Sequence, residues 1–120
     1  MTRRSLVLVI DDDEAILELV QMVLEDEGYS VMTAGDGSEA LELLDSHSPD
    51  LILLDMRMSR VNGWEFAEAY KRRPEPHAPI VVITAAADAA SRAAEIGAQG
   101  YLGKPFGLDE LCAIAASHLS

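Results

Sequence analysis

Five residues of this chain could do chemistry together, and each lies at or just past the end of an apolar run. Asp11 and Asp12 follow Leu6-Val7-Leu8-Val9-Ile10, and Asp55 follows Leu51-Ile52-Leu53-Leu54. Thr84 follows Ile80-Val81-Val82-Ile83, and Lys104 comes shortly after a brief run at about Gln99–Leu102. Carboxylates packed together repel one another, which raises the pKa of one or more of them. A hard divalent cation removes that cost, and oxygen-only ligands favour magnesium over zinc or copper. Such a cation with open water positions, beside one free aspartate oxygen and one lysine, is an arrangement for phosphoryl transfer. Metal and ammonium neutralise charge on the equatorial oxygens while the carboxylate attacks in line. Taken singly, each residue reads more simply as a helix cap, a turn residue or a solvated side chain; the joint pattern carries the inference.

What brings the five together is the alternation of the chain. The runs Leu6–Ile10, Tyr29–Thr33, Leu51–Leu54, Ile80–Ile83 and about Gln99–Leu102 are short, apolar and bounded by turn residues, as strands buried on both faces are. Between them lie helical patterns. Ile16, Leu17, Leu19, Val20, Val23 and Leu24 share one face, with Asp12 or Asp13 as cap and Gly28 as terminator. A second helix, capped by Ser38 or Asp36, runs through Ala40, Leu41, Leu43 and Leu44 to about Ser46-His47. A third covers about Trp64 to Lys71, a fourth about Asp88–Ile96 before Gly97, and the last turns Leu108, Leu111, Cys112, Ile114, Ala115 and Leu119 inward. Strand and helix alternating in this way predict an α/β fold: a doubly wound, five-stranded parallel sheet with right-handed crossovers and helices on both faces. With strand order 2-1-3-4-5, a flavodoxin-like three-layer sandwich, the first and third strands are neighbours at the switch point. Their carboxyl ends then crowd Asp11, Asp12 and Asp55 into one crevice.

Composition narrows the remaining classes. The 120 residues, 49% hydrophobic, suffice for one domain spanning residues 1–120 with a single core. The formal charge of −12, from 21 acids against 9 Lys plus Arg, opposes direct binding to nucleic acid or anionic lipid and suits cations or a basic partner face. Cys112 is the only cysteine, which excludes an internal disulfide and a cysteine metal cluster and suggests a reduced, cytoplasmic setting. Arg3-Arg4 precedes an apolar run too short for a signal peptide, and no segment is long enough to span a membrane.

With those residues in place, the chain resembles the receiver domain of two-component response regulators, from Leu6 to about Leu119. The resemblance rests on Val9-Ile10-Asp11-Asp12-Asp13, Pro49-Asp50-Leu51-Ile52-Leu53-Leu54-Asp55, Val81-Val82-Ile83-Thr84-Ala85 and Gly97 through Phe106. It implies that Asp55 is the phosphoacceptor, taking a phosphoryl group from the phosphohistidine of a sensor histidine kinase or phosphotransfer protein. It implies Mg2+, with Mn2+ as a substitute, held by Asp12 directly, Asp11 mainly through water, Asp55 and the backbone carbonyl of Arg57. Thr84 would hydrogen-bond the aspartyl phosphate, and Lys104, before a cis Pro105, would pair with it. Tyr101 would turn inward as Thr84 moves, changing a partner-binding face made by the fourth helix, fifth strand and fifth helix. The resemblance implies a signalling phosphoacceptor rather than an enzyme, with no direct contact to nucleic acid or membrane. Arg57, two residues past Asp55, would partly shield the acyl phosphate from water, and Ala86 would offer no group to orient that water. The chain departs from the family pattern at Met58-Ser59, where Met-Pro is usual, and at Gln99-Gly100, where acids often precede the tyrosine.

Other classes fit less well. A phosphatase of the haloacid dehalogenase type needs an aspartate two residues after its nucleophile, where this chain has Arg57. A nucleotide or flavin module would need a glycine-rich turn after the first strand; near Lys104, Ala98 stands at the first glycine position of a phosphate loop and Pro105 at its Ser/Thr. A degenerate receiver, binding partners without phosphate, would not be expected to keep Asp11, Asp12, Asp55, Thr84 and Lys104 together. His47, His77 and His118 show no ligand spacing, and Trp64 reads as a packing residue able to report binding by fluorescence.

Overall fold

In the computed structural model, residues 4–58 and 60–119 are described. The chain alternates β1 (Leu6–Ile10), α1 (Glu14–Asp26), β2 (Ser30–Ala34), α2 (Gly37–Leu43), β3 (Leu51–Asp55), α3 (Gly63–Lys71), β4 (Ile80–Ala85), α4 (Ala89–Ile96), β5 (Gly100–Lys104) and α5 (Leu108–His118). All strand pairs are parallel, in the order β2-β1-β3-β4-β5. This is the doubly wound, flavodoxin-like architecture expected from the alternation.

Successive strand residues point to opposite faces, and the core divides accordingly. Leu8, Ile10, Ile52, Leu54 and Val82 pack with Ala40 of α2, Phe66 and Tyr70 of α3, and Ala93 and Ile96 of α4. Val7, Val9, Leu51, Leu53, Val81 and Ile83 pack with Val20 and Leu24 of α1 and Leu111 and Ala115 of α5. Helices on both faces explain why β1 and β3 have no polar alternation. Phe66, fully buried, stacks on Tyr70 at 5.9 Å, and the Tyr70 hydroxyl accepts a 2.7 Å bond from Ala78 N–H.

Element ends follow capping chemistry. Asp13, not Asp12, caps α1, accepting from Ala15 N–H at 2.9 Å and Ile16 N–H at 3.4 Å. Asp36, not Ser38, caps α2 by accepting from Glu39 N–H at 2.8 Å, and that helix stops at Leu43, earlier than its apolar pattern suggests. Asn62 and Glu65 form a reciprocal capping box at the start of α3. β5 runs two residues past its apolar stretch, through Gly103 to Lys104, because Gly103 lies against Ala86: a Cβ there would stand 2.7 Å from Ala86 Cα. Ser59, where the chain departs from the usual Met-Pro, lies outside the described residues, as does Arg3.

Asp50, which the sequence suggests is only a loop residue, has a structural task. Its Oδ2 accepts from Leu6 N–H at 2.7 Å while its own N–H donates to the Leu6 carbonyl at 2.7 Å, fastening the start of β1 to the turn before β3. Asp50→Ala should therefore lower the unfolding free energy by about 1–3 kcal/mol, read as a lower urea midpoint with an unchanged slope. An unshifted midpoint would show that the bond contributes nothing net.

Candidate functional site

The register of three strand pairs assembles the site. Ile10 pairs with Leu54, so Asp11 emerges beside Asp55. Asp55 pairs with Ile83, placing Thr84 one step further along the edge, and Ala85 pairs with Lys104. Asp11, Asp12, Asp55, Arg57, Thr84 and Lys104 consequently line one cavity of about 280 Å³ at the carboxyl edge of the sheet. Asp11 is 1% exposed, and Asp55 and Thr84 are each 5% exposed. Tyr101 does not join them. It lies on the outer strand, 52% exposed.

Lys104 is the cation paired with these carboxylates, and its position differs from a simple pairing with Asp55. Its ammonium donates to Asp11 Oδ2 at 2.8 Å and stands 3.8 Å from Asp55 Oδ1. Asp11 is further committed through Oδ1, which accepts from Asp13 N–H at 2.9 Å. Asp13 also borders this cavity, but its Oδ1 accepts from backbone N–H groups as the α1 cap. Carboxylate oxygens of Asp11, Asp12 and Asp55 lie within 4.8 Å of one another. When all are ionised, the three carboxylates outnumber the Lys104 ammonium and the exposed Arg57 guanidinium, so negative charge is left over, on oxygen donors only. That donor set and charge fit a hard divalent cation.

The loop after Asp55 is held by close backbone contact. A Cβ on Gly63 would meet Met56 Sδ at 2.6 Å and Met56 Cα at 2.7 Å, and Gly63 N–H donates to the Met56 carbonyl at 3.2 Å. Only glycine lets the first residue of α3 lie this close to the acceptor strand. Across the site, Gly103 against Ala86 does the same for the strands that carry Thr84 and Lys104. Ala86, considered from sequence for its lack of a polar group, is thus a packing surface for β5.

Sequence reasoning missed one cluster nearby. Trp64 is 37% exposed, and its indole Nε1 donates to Glu95 Oε1 at 2.9 Å. The Arg92 and Glu95 spacing marks an i,i+3 pair, but its meeting with an indole on another helix leaves no sequence signal. A surface groove lies elsewhere, between α1 and α5, lined by residues including Glu18, Met22, Leu108 and Cys112. Burial, then Glu27, Asp109 and Asp26, hold the Cys112 thiol above its ordinary pKa, which disfavours the thiolate. His47, His77 and His118 each bond a nearby backbone carbonyl at a helix end or loop, away from the cavity.

Burial is the main reason the Asp55 carboxyl is pushed up from 3.8 to about 6, with Asp11 and Asp12 adding repulsion and Lys104 and the Arg57 N–H opposing it. Burial pulls Lys104 down, but its bond to Asp11 and the charges of Asp55, Asp11 and Asp13 outweigh that and raise it. Because the folded-state value of Asp55 lies above the unfolded one, the native state holds the extra proton. The penalty is absent below about pH 4, grows as pH rises toward 6, and is complete above it. A shift from 3.8 to about 6 corresponds to about 3 kcal/mol. Asp55→Asn should therefore be more stable than wild type at pH 8 without divalent cations, by up to about 3 kcal/mol. The difference should close toward pH 4; equal urea midpoints at pH 8 would show that the buried charge is not costly.

Comparison with known proteins agrees with this arrangement. The family model of the response regulator receiver domain matches residues 7–116. The response regulator MprA of Mycolicibacterium vanbaalenii is 42% identical over 109 residues, which cover 89% of this chain and 47% of that protein. MprA of Mycobacterium avium is 41% identical with the same coverage. The chain spans about half the length of the curated relatives it matches. Among solved structures, the chemotaxis response regulator CheY4 of Vibrio cholerae superposes with a TM-score of 0.88 at 32% identity, over 98% of this chain and 100% of that one. The receiver domain of NtrX from Brucella abortus gives 0.82 at 35% identity, over 94% and 97%. A continuous match from β1 into α5, at these identities and on this fold, makes the chain a member of the response regulator receiver domain family of two-component systems.

Proposed function

We propose that Asp55 accepts a phosphoryl group from the phosphohistidine of a sensor histidine kinase or phosphotransfer protein. The observation that supports this most is the convergence of Asp11, Asp12 and Asp55 in one half-enclosed cavity with Lys104 set between Asp11 and Asp55. An Asp55 oxygen attacks phosphorus in line; the new P–O bond forms as the P–N bond to imidazole breaks, and the electron pair leaves with the imidazole. Asp11, Asp12, Asp55 and the Arg57 carbonyl would hold Mg2+, or Mn2+ in its place, which supplies charge neutralisation at the phosphoryl oxygens.

The chain's own groups supply the rest. Lys104 carries its charge near both carboxylates already, so a short displacement from Asp11 brings it to a phosphoryl oxygen on Asp55. The Thr84 hydroxyl, on the adjacent strand, is the donor for another oxygen. Its movement toward the phosphate frees space into which Tyr101 turns, altering the surface of α4, β5 and α5 that meets a downstream partner protein or output domain. No acid/base group faces the cavity from two residues past Asp55, where Arg57 stands exposed. The domain therefore promotes only its own phosphorylation and dephosphorylation and acts as a signalling phosphoacceptor in the cytoplasm. With a net charge of −12, its partners are proteins rather than nucleic acid or anionic membrane. Among the described residues no helix is long and apolar enough to cross a membrane.

Incubation with a small phosphodonor and magnesium should add the mass of one phosphoryl group, and Asp55→Ala should abolish the gain. No gain with any donor would favour a receiver that binds partners independently of phosphate. Arg57→Ala should lose the acyl phosphate faster than wild type, by about two- to tenfold if shielding is worth about 0.5–1.4 kcal/mol. Equal loss rates would mean that the Arg57 side chain only faces solvent.

A further inference from the structure

The stretch that follows Asp55 enters α3 directly, and α3 is held to α4 by a closed cluster at its first turn. Trp64 Nε1 donates to Glu95 Oε1 at 2.9 Å. Arg92 pairs with the same carboxylate: Nη2 donates to Oε2 at 2.9 Å, Nε stands 2.9 Å from Oε1 without a hydrogen bond to it, and the guanidinium lies 5.7 Å from the Trp64 ring centre. Each member of the cluster touches the other two. Lys71, at the far end of α3, donates to the Ile96 carbonyl, so both ends of α3 hold the last turn of α4. Trp64 also lines an open cavity with Asp12, Met56, Arg57 and Asn62, beside the metal-binding carboxylates.

We infer that Trp64, fixed by Glu95 and Arg92, is a positioning residue for Met56 and Arg57, and so sets the geometry of the Arg57 carbonyl and of the divalent-cation site. The connection is short. Trp64 follows Gly63, where even a Cβ would collide with Met56 and whose N–H is bonded to the Met56 carbonyl. Gly63 has no spare room, so a rotation of the first turn of α3 is transmitted to Met56 rather than absorbed. The indole bond to Glu95 resists that rotation from the α4 side. The inference rests on the proposed metal and phosphoryl site and adds to it a contact that reaches α4 without passing through Thr84 or Tyr101.

The test uses the intact chain and Mg2+ alone, titrated by calorimetry at pH 8. Trp64→Phe keeps the ring and removes the donor; Glu95→Ala removes the acceptor. Both should weaken Mg2+ binding by about three- to tenfold, the fold-change expected for one net hydrogen bond. Glu95→Gln keeps an acceptor oxygen and should stay within about twofold of wild type. Glu68→Ala, which removes an unrelated ion pair with Arg72 on the same helix, should leave Mg2+ affinity unchanged. Equal affinity in wild type, Trp64→Phe and Glu95→Ala would overturn the inference. So would equal weakening in Glu95→Gln and Glu95→Ala, which would mark a long-range charge effect. Wild type that binds Mg2+ but takes no phosphoryl group from a donor would sink the proposed function while leaving this inference to the variants; wild type that binds no Mg2+ would sink both.

Discussion

Two carboxylates, Asp11 and Asp55, are buried side by side with one ammonium between them, and most of the structure can be understood as the means of keeping them there. Neither can withdraw, because Ile10 and Leu54 are registered partners in the middle of the sheet. The runs behind them are buried on both faces, and each fully buried Leu, Ile or Val side chain contributes about 1.5–3 kcal/mol. A few such side chains offset the cost of an ionised Asp55. The repulsion is therefore a stable property of the folded chain, released whenever positive charge enters the cavity. Lys104 relieves part of it and is bonded to the more deeply buried of the two, leaving an Asp55 oxygen less committed.

The fold was legible because parallel strands covered on both faces cannot alternate polar with apolar residues. Leu6–Ile10, Leu51–Leu54 and Ile80–Ile83 announce themselves as unbroken apolar runs. The meeting of the polar residues was legible for a related reason: in a parallel sheet every strand delivers its last residue to the same edge, so the polar residue after each run is placed by local sequence alone. Boundaries were less so. β5 continues through Gly103 because of a close approach to Ala86, which only the folded chain brings near. Whether Asp12 or Asp13 caps α1 depended on backbone angles at the turn.

Other features depend on how whole elements meet. Asp50 looks like any loop acid until β1 and β3 are paired and its oxygen finds Leu6 N–H. The contact between Trp64 and Glu95 needs α3 and α4 to cross at a particular angle and rotation, which neither helical pattern encodes. The bond of Lys104 to Asp11 rather than to Asp55 reflects differences of about an ångström in side-chain reach. These are questions of tertiary geometry, and residue spacing is silent on them.

The outermost position of β5 has a consequence for solubility. An edge strand presents unpaired backbone groups that can recruit a strand from another molecule. Here the segment is Gly-Tyr-Leu-Gly-Lys, closed by Pro105, with Leu102 its only buried residue. Two glycines and a terminal lysine make it a poor template for pairing, and a chain charge of −12 keeps copies apart. The edge beside the exposed Tyr101 is thus a poor seed for fibrous self-association.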